Sequence, residues 1–290
     1  MPAQSLRPVH ARPGFSFRAS TCCDASMSTA ADGYPLLEGK DHRAVSLFQP
    51  ENLLREARRQ RGLGDAPVPR VGLLDPDGDI VRHLAATGRG HRHPGWACYH
   101  TELWVTDLDG VEIGVVGVAV GAPFAVLVAE QLAASGAEVV VSITSAGQIV
   151  PLAAVPCFVL IERALRDEGT SAHYLPPGRW SHLDGGLHAR LAGAFDHLPN
   201  PVLTGASWTT DAPYRETTAA IEAAKCAGAV CVEMEAASLY AYATARARRV
   251  VCLAHVTNTM AVAGDDFEKG PDNGVHDALA VARAVVVALL

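Results

Sequence analysis

Val230-Cys231-Val232-Glu233-Met234-Glu235-Ala236-Ala237-Ser238-Leu239-Tyr240 joins a short apolar β-branched run to an alanine-rich segment. The first part reads as a strand and the second as a helix, because β-branched residues fit a pleated surface and alanine favours the helix. A strand that hands over directly to a helix is the unit of an α/β sheet. Two carboxylates flank the methionine at the changeover. Burying them at a strand end is costly unless a ligand or a cation compensates. In open α/β sheets ligands sit just beyond the carboxyl ends of strands. A carboxylate at that point suits a vicinal diol, since it can accept bonds from two neighbouring hydroxyls. The other reading is that Glu233 and Glu235 cap the first turn of the following helix, where the dipole favours anions.

The same alternation extends through the chain. Strands are predicted at 70–74, 138–143, 157–162, 201–206, 229–233 and 250–256, with a β pair at 98–106 and 111–118 around Asp107-Leu108-Asp109-Gly110. Helices are predicted at 50–60, 123–134, 184–195, 214–227, 235–247 and 275–289. Strands alternating with helices imply a mainly parallel sheet covered on both faces. Asp75-Pro76-Asp77-Gly78-Asp79 reads as a turn after the first strand. Residues 1 to about 40 are rich in Ser, Ala, Arg and Pro without periodicity and read as a disordered tail. Residues 41–290 then form a single α/β domain. Met27 is an alternative start, and no signal peptide is apparent.

The chain has 290 residues, 49% hydrophobic but only 6% aromatic, so its core is built from Val, Leu and Ala. A net charge of -7 argues against nucleic acid as a partner. The longest uncharged run, Ile113 to Ala129, holds three glycines and Pro123, which breaks it into strand, turn and helix start and excludes a membrane span. Seven cysteines include no Cys-x-x-Cys pair. Cys98, Cys157, Cys226, Cys231 and Cys252 read as reduced core residues of a cytoplasmic protein, and Cys22-Cys23 as part of the tail. His91, His93, Cys98 and His100 match no zinc spacing, so no metal is expected.

Small polar residues gather at other strand ends. Ser142-Ile143-Thr144-Ser145-Ala146-Gly147-Gln148 can present hydroxyls and backbone amides to an oxyanion or a water. Self-satisfied turn hydroxyls are the alternative. In Ser207-Trp208-Thr209-Thr210-Asp211, Trp208 and Thr209 suit stacking and hydrogen bonding to a flat heterocycle, and Asp211 reads as a helix cap before Pro213. Asn258 ends a further strand, where its amide can donate to a ring atom gaining negative charge, or cap a loop. In the long polar stretch 164–177, Arg166 and Glu168 read as an ion pair holding a loop.

Taken together these segments resemble the nucleoside phosphorylase superfamily, uridine phosphorylases most closely, over Val45 to the C-terminus. The resemblance rests on Val232-Glu233-Met234-Glu235, Asp75-Pro76-Asp77, Val120-Gly121-Ala122-Pro123 and Ala164-x-Arg166-x-Glu168-Gly169-x-Ser171-x-His173-Tyr174-x-Pro176. It implies a three-layer α/β domain with a mixed, partly barrel-like central sheet, assembled as a homo-oligomer from dimer to hexamer. It also implies a nucleoside substrate, phosphate as co-substrate and no other cofactor. Glu235 would hold the ribose hydroxyls, with Glu233 beside it and Met234 under the sugar. Ser145, Ala146 and Gly147 would face the nucleophile. Trp208, Thr209, Thr210, Arg215 and Asn258 would meet the base, Asn258 sharing the catalytic role with Glu235.

This chain departs from the family pattern where phosphate is held. Gly78-Asp79 and Ser142 stand where phosphorylases carry arginines, which leaves Arg92, Arg215 or a partner chain to supply the arginine for a phosphate contact alongside Ser145. Ser145-Ala146-Gly147 is closer to the family's nucleosidases, which use water, but those have an aspartate where this chain has Asn258. The uracil-clamping Gln and Arg are replaced by Arg215 and Thr217. Three functions follow from the resemblance: phosphorolysis of a uridine-like nucleoside, hydrolysis of the same bond, or nucleoside sensing without turnover.

Overall fold

The structure, a computed structural model, describes residues 36–260 and 267–290. The expected tail lies outside the described residues as far as position 35, with Cys22-Cys23 and Met27. By Lys40 the chain is already tied down, its Nζ 3.1 Å from Nδ1 of His173.

In chain order the elements are α1 (Pro50–Arg61), β1 (Val71–Asp75), α2 (Asp79–Thr87), β2 (His91–Arg92), β3 (Trp104–Leu108), β4 (Val111–Gly117), α3 (Ala122–Ala134), β5 (Val139–Gln148) and β6 (Cys157–Asp167). There follow α4 (Ser171–Tyr174), β7 (Trp180–His182), α5 (Gly185–Arg190), β8 (Val202–Thr210), α6 (Thr218–Cys226), β9 (Ala229–Glu233), α7 (Ala236–Arg246), β10 (Arg249–Asn258) and α8 (Val275–Leu289). The strands form one mixed sheet in the order β10-β6-β8-β9-β5-β1-β4-β3-β2, and β10 also pairs with β5. That second pairing closes β5, β9, β8, β6 and β10 into a ring, from which β1, β4, β3 and β2 extend as an open arm. The sheet is less parallel than the alternation of elements suggests: β5 meets β9, and β6 meets both β10 and β7, in antiparallel register.

Ring closure also explains why three strands outrun their predicted ends. β5, β6 and β8 continue through Gln148, Asp167 and Thr210, past their apolar runs and across polar residues and glycine. Each extension gains a partner, as in Gly147 opposite Val232 and Ala164 between Ser181 and Ser207. Irregular register between Ile161 and Arg163, and between Val256 and Asn258, marks where the strands bend. Conversely, β3 begins only at Trp104, and α5 stops at Arg190. α6 begins at Thr218 because the Thr217 side chain accepts from the Ala220 amide and caps it. The expected cap, Asp211, instead accepts from the Gly169 amide at 2.8 Å.

The core is aliphatic, with Tyr240, Tyr242 and Phe158 its largest enclosed side chains. The uncharged run at 113–129 divides between β4 and α3, and among the described residues no helix is long and apolar enough to cross a membrane. Cys98, Cys157, Cys231 and Cys252 are buried, whereas Cys226 is exposed at the end of α6, contrary to its core reading.

Candidate active site

The two acids of the Glu-Met-Glu segment have opposite fates. Glu233 ends β9 and is fully engaged. Its Oε1 accepts from Ser207 Oγ at 2.9 Å and Thr209 Oγ1 at 2.5 Å, and its Oε2 accepts from the amides of Glu235 and Ala236, both at 2.7 Å. Thr209 Oγ1 in turn accepts from the Ala237 amide at 2.9 Å. These amides are the unpaired donors of the first turn of α7, so the capping reading holds for Glu233.

Glu235 is 1% exposed, and only one of its oxygens is satisfied among the described residues. Oε1 accepts from the Gly121 amide at 2.7 Å, while Oε2 is buried without a partner. Gly121 precedes α3 at φ 87, a left-handed conformation that a side chain would strain and that turns the amide toward the carboxylate. Burial, and then the Glu233 charge, push the Glu235 pKa up to about 8, against the Gly121 amide and the Thr144 hydroxyl, which favour the charged form. A buried acceptor whose lone pairs meet no donor calls for one.

β5 and β10 place the neighbouring groups side by side, with His255 opposite Ser145 and Asn258 opposite Gly147. A Cβ at position 147 would lie 2.8 Å from Met260 Sδ and 3.0 Å from Asn258 Oδ1, so glycine is what lets these two residues approach the strand end. Asn258 Oδ1 accepts from the Met260 amide at 2.9 Å, and Nδ2 donates to Thr257 Oγ1 at 3.3 Å, its second amide hydrogen having no partner among the described residues.

The turn after β1 is more than a connector. It enters α2, a helix that the sequence pattern did not bring out, and gathers Asp75, Asp77 and Asp79. Asp75 accepts from the Gly78 and Val81 amides, and burial pushes its pKa up to about 7. Asp77 Oδ2 accepts from Ser145 Oγ and from Lys269 Nζ, the latter at 3.0 Å. Lys269 also donates to Asp79 Oδ2 at 2.7 Å, and Arg82 to Asp79 Oδ1 at 2.7 Å. Burial opposes the charge on Asp79, yet Lys269 and Arg82 hold its pKa below the ordinary value. Among the described residues these are the cations bonded to the turn, and both are already paired with carboxylates. Ser142, at a position where the resemblance implies an arginine, is buried, and its hydroxyl has no partner among the described residues.

Other predicted contacts are not brought to this point. Trp208 is 3% exposed, donates from Nε1 to Asp167 at 2.9 Å, and packs with Ala224, Ala229 and Val232, so it presents no open stacking face. Thr209 serves Glu233, and Thr210 Oγ1 accepts from the Ala212 amide at 3.2 Å. Arg215 is exposed in the short 3-10 turn Pro213–Arg215. Arg92 lies on β2 at the edge of the sheet, paired with Glu102 over the Trp104 ring. Met234 is half-buried, and Ala146 is buried in β5. Arg166 and Glu168 do hold their loop, but through Ser171: Arg166 Nε donates to its hydroxyl, and Glu168 accepts from its amide. His93 bonds the Pro67 carbonyl and His100 lies edge-on to Phe124, so neither faces a shared centre with the buried Cys98.

Sequence reasoning missed Lys269 and assigned no role of their own to Asp77, within its turn, or to His255, at its strand end. Lys269 reaches Asp77 across 192 positions, which no local pattern can signal. The three aspartates in five residues, opening a helix, were the available cue.

Comparison with known proteins agrees with this architecture. A guanosine phosphorylase of Halorubrum lacusprofundi is 26% identical over 165 residues, 57% of this chain and 67% of that protein. The crystal structure of a Toxoplasma gondii purine nucleoside phosphorylase in complex with immucillin-H superposes with a TM-score of 0.66 at 16% identity, covering 84% of this chain and 97% of that one. A uridine phosphorylase from Vibrio fischeri gives 0.60 at 17%, covering 78% and 91%. The sequence model of the Phosphorylase superfamily matches residues 70–290, and the chain belongs to that superfamily.

Proposed function

We propose that this protein cleaves the N-glycosidic bond of a nucleoside and transfers the pentosyl group from the base to an oxygen acceptor. The observation that carries the reading is the unpartnered, buried Oε2 of Glu235, beside an amide that fixes its other oxygen. The ribose 2′- and 3′-hydroxyls are the donors it lacks. A carboxylate that accepts both sets the sugar ring and stabilises the positive charge that develops at C1′ as the bond lengthens. Asn258, at the end of β10, offers its free amide hydrogen to the departing base. Glu233 keeps the first turn of α7 in place and acts on the substrate only through Glu235.

The test is base release from a panel that includes uridine, inosine, guanosine and adenosine, each beside its 2′,3′-dideoxy counterpart, followed by chromatography. Base release from at least one ribonucleoside and not from its dideoxy form is expected. Equal release from both forms, or release from none, overturns the reading.

A further inference from the structure

We propose that this protein carries a second small-molecule site, at the far end of α7 from Glu235, where Arg190, Arg248 and Arg249 bind a phosphate ester that has an aromatic or apolar body. The site is independent of the glycosidic reading. A groove of about 660 Å³ lies between α5, the C-terminal end of α7 and the start of β10. That volume falls within the range of about 300–1,000 Å³ that small-molecule sites occupy, and a bare oxyanion fills little of it. α7 begins directly after Glu235 and has 11 residues, so the groove lies about 16 Å away along the helix. β10 likewise runs from Arg249 at the groove to Asn258 at the candidate active site.

The groove gathers positive charge on a chain whose net charge is -7. Arg190 comes from the end of α5, Arg248 from the connection after α7, and Arg249 from the first position of β10. Among the described residues Asp184 is the one carboxylate that borders the groove, and its Oδ1 is engaged by the Leu187 amide at 3.0 Å. None of the three arginines forms an ion pair among the described residues, whereas Arg246 pairs with Glu130 at 3.2 Å and Arg283 with Asp109 at 2.6 Å. Glu138, whose charged form Arg249 favours, is bonded through both oxygens to Arg70 at 2.7 and 2.8 Å.

Two of the guanidinium groups are held in place by the protein itself. Arg190 Nη2 donates to the Ala288 carbonyl at 2.8 Å, and Arg249 Nη2 to the Leu289 carbonyl at 2.6 Å. These bonds cap the last turn of α8, but each uses one donor of a group that has five. Capping does not account for Arg248, which is exposed beside the Tyr242 hydroxyl and bonds no carbonyl of α8 among the described residues. The turn that presents Arg248 is itself strained: Ala247 stands at φ 49, where glycine is the usual residue. Leu183, Leu187, Ala243 and Val250 line the rest of the groove. An inorganic anion leaves that apolar wall uncovered, and an apolar ligand leaves the arginines unmet. A phosphate ester meets both, its oxygens taking the planar donors of the guanidinium groups and its body covering the wall.

The experiment titrates the full chain calorimetrically with AMP, UMP, phenyl phosphate and inorganic phosphate. At least one ester is expected to bind with a Kd below about 1 mM, and inorganic phosphate about tenfold or more weaker. Arg248→Glu is expected to weaken the ester about tenfold or more, while Glu235→Gln leaves its Kd within about twofold. Thr244→Glu, which adds a carboxylate at an exposed position of the groove without replacing an arginine, is expected to weaken it similarly and carries the test if Arg248→Glu does not fold. Binding of none of the esters overturns the proposal. So does inorganic phosphate binding as tightly as the esters, which reduces the site to bare charge. Ester binding that survives both groove variants and is lost in Glu235→Gln places the ligand in the candidate active site and overturns it as well.

Discussion

Glu235→Gln separates a ligand-binding acid from a structural one, because the two roles predict opposite signs. The amide is nearly isosteric, and the Gly121 amide selects its orientation by requiring an oxygen opposite it. The Gln NH2 then faces the sugar, where two charge-assisted bonds from hydroxyls are lost and donor meets donor. Hydrogen bonds to charged groups contribute about 1.5–3 kcal/mol each, so a net loss of about 3 kcal/mol is expected, roughly 150-fold in kcat/KM. Stability moves the other way. Above pH 8, where the carboxyl is ionised, the substitution removes a buried charge that lacks a second partner and lies beside Glu233, so folding gains about 1 kcal/mol, or about 2–4 °C in Tm. The pH dependence gives a second readout. The folded-state pKa of Glu235 is near 8, above its ordinary 4.5, so between these values the folded protein binds more protons than the unfolded chain. Its contribution is therefore complete at low pH and is lost as pH rises through 8. Asp75, pushed up to about 7, has the same sign. His255, lowered by burial to about 4, has the opposite sign, but only between 4 and 6.5. Between pH 6.5 and 8 the wild-type Tm is expected to fall, and the Glu235→Gln Tm to fall less. Calorimetric scans across that interval, with base-release kinetics at one pH, measure both effects. Unchanged kcat/KM together with a lowered Tm refutes the reasoning.

Glu233→Ala leaves two buried amides of α7 and two hydroxyls without an acceptor, and is expected to cost about 3 kcal/mol or more in urea unfolding. Trp208→Phe loses the bond to Asp167, about 1 kcal/mol of stability, while kcat/KM stays within threefold; a drop beyond tenfold restores Trp208 as a base contact. Asn258→Ala is expected to lower kcat by about 100-fold with little change in KM, measured by initial rates of base release. A lowered Tm, with kcat restored once the unfolded fraction is corrected for, would instead assign Asn258 to the turn it forms with Met260.

The element pattern was legible wherever local propensity and tertiary pairing agree. β9, for example, spans the predicted 229–233, and α8 the predicted 275–289. Legibility failed where the apolar pattern stops before the pairing does: the second halves of β5, β6 and β8 carry Ser, Thr, Gly and Arg, and they are strands because the ring supplies partners. The site divides in the same way. A pair of carboxylates at a strand end is visible in sequence, but which one is satisfied depends on Ser207 and Thr209 from β8 for Glu233 and on Gly121 for Glu235. Trp208 reads as a stacking surface until Asp167 and the face of α6 enclose it. The acidic turn reads as punctuation until Ser145 and Lys269 converge on it from distant parts of the chain.

The most direct test of the account is a crystal structure of the protein with a bound, uncleaved nucleoside analogue that retains both ribose hydroxyls. The 2′- and 3′-oxygens are expected within about 2.5–3.0 Å of the Glu235 carboxylate, with Oε2 accepting and the Gly121 amide still on Oε1. A sugar bound elsewhere, or Oε2 closed off by a group of the protein itself, would contradict it.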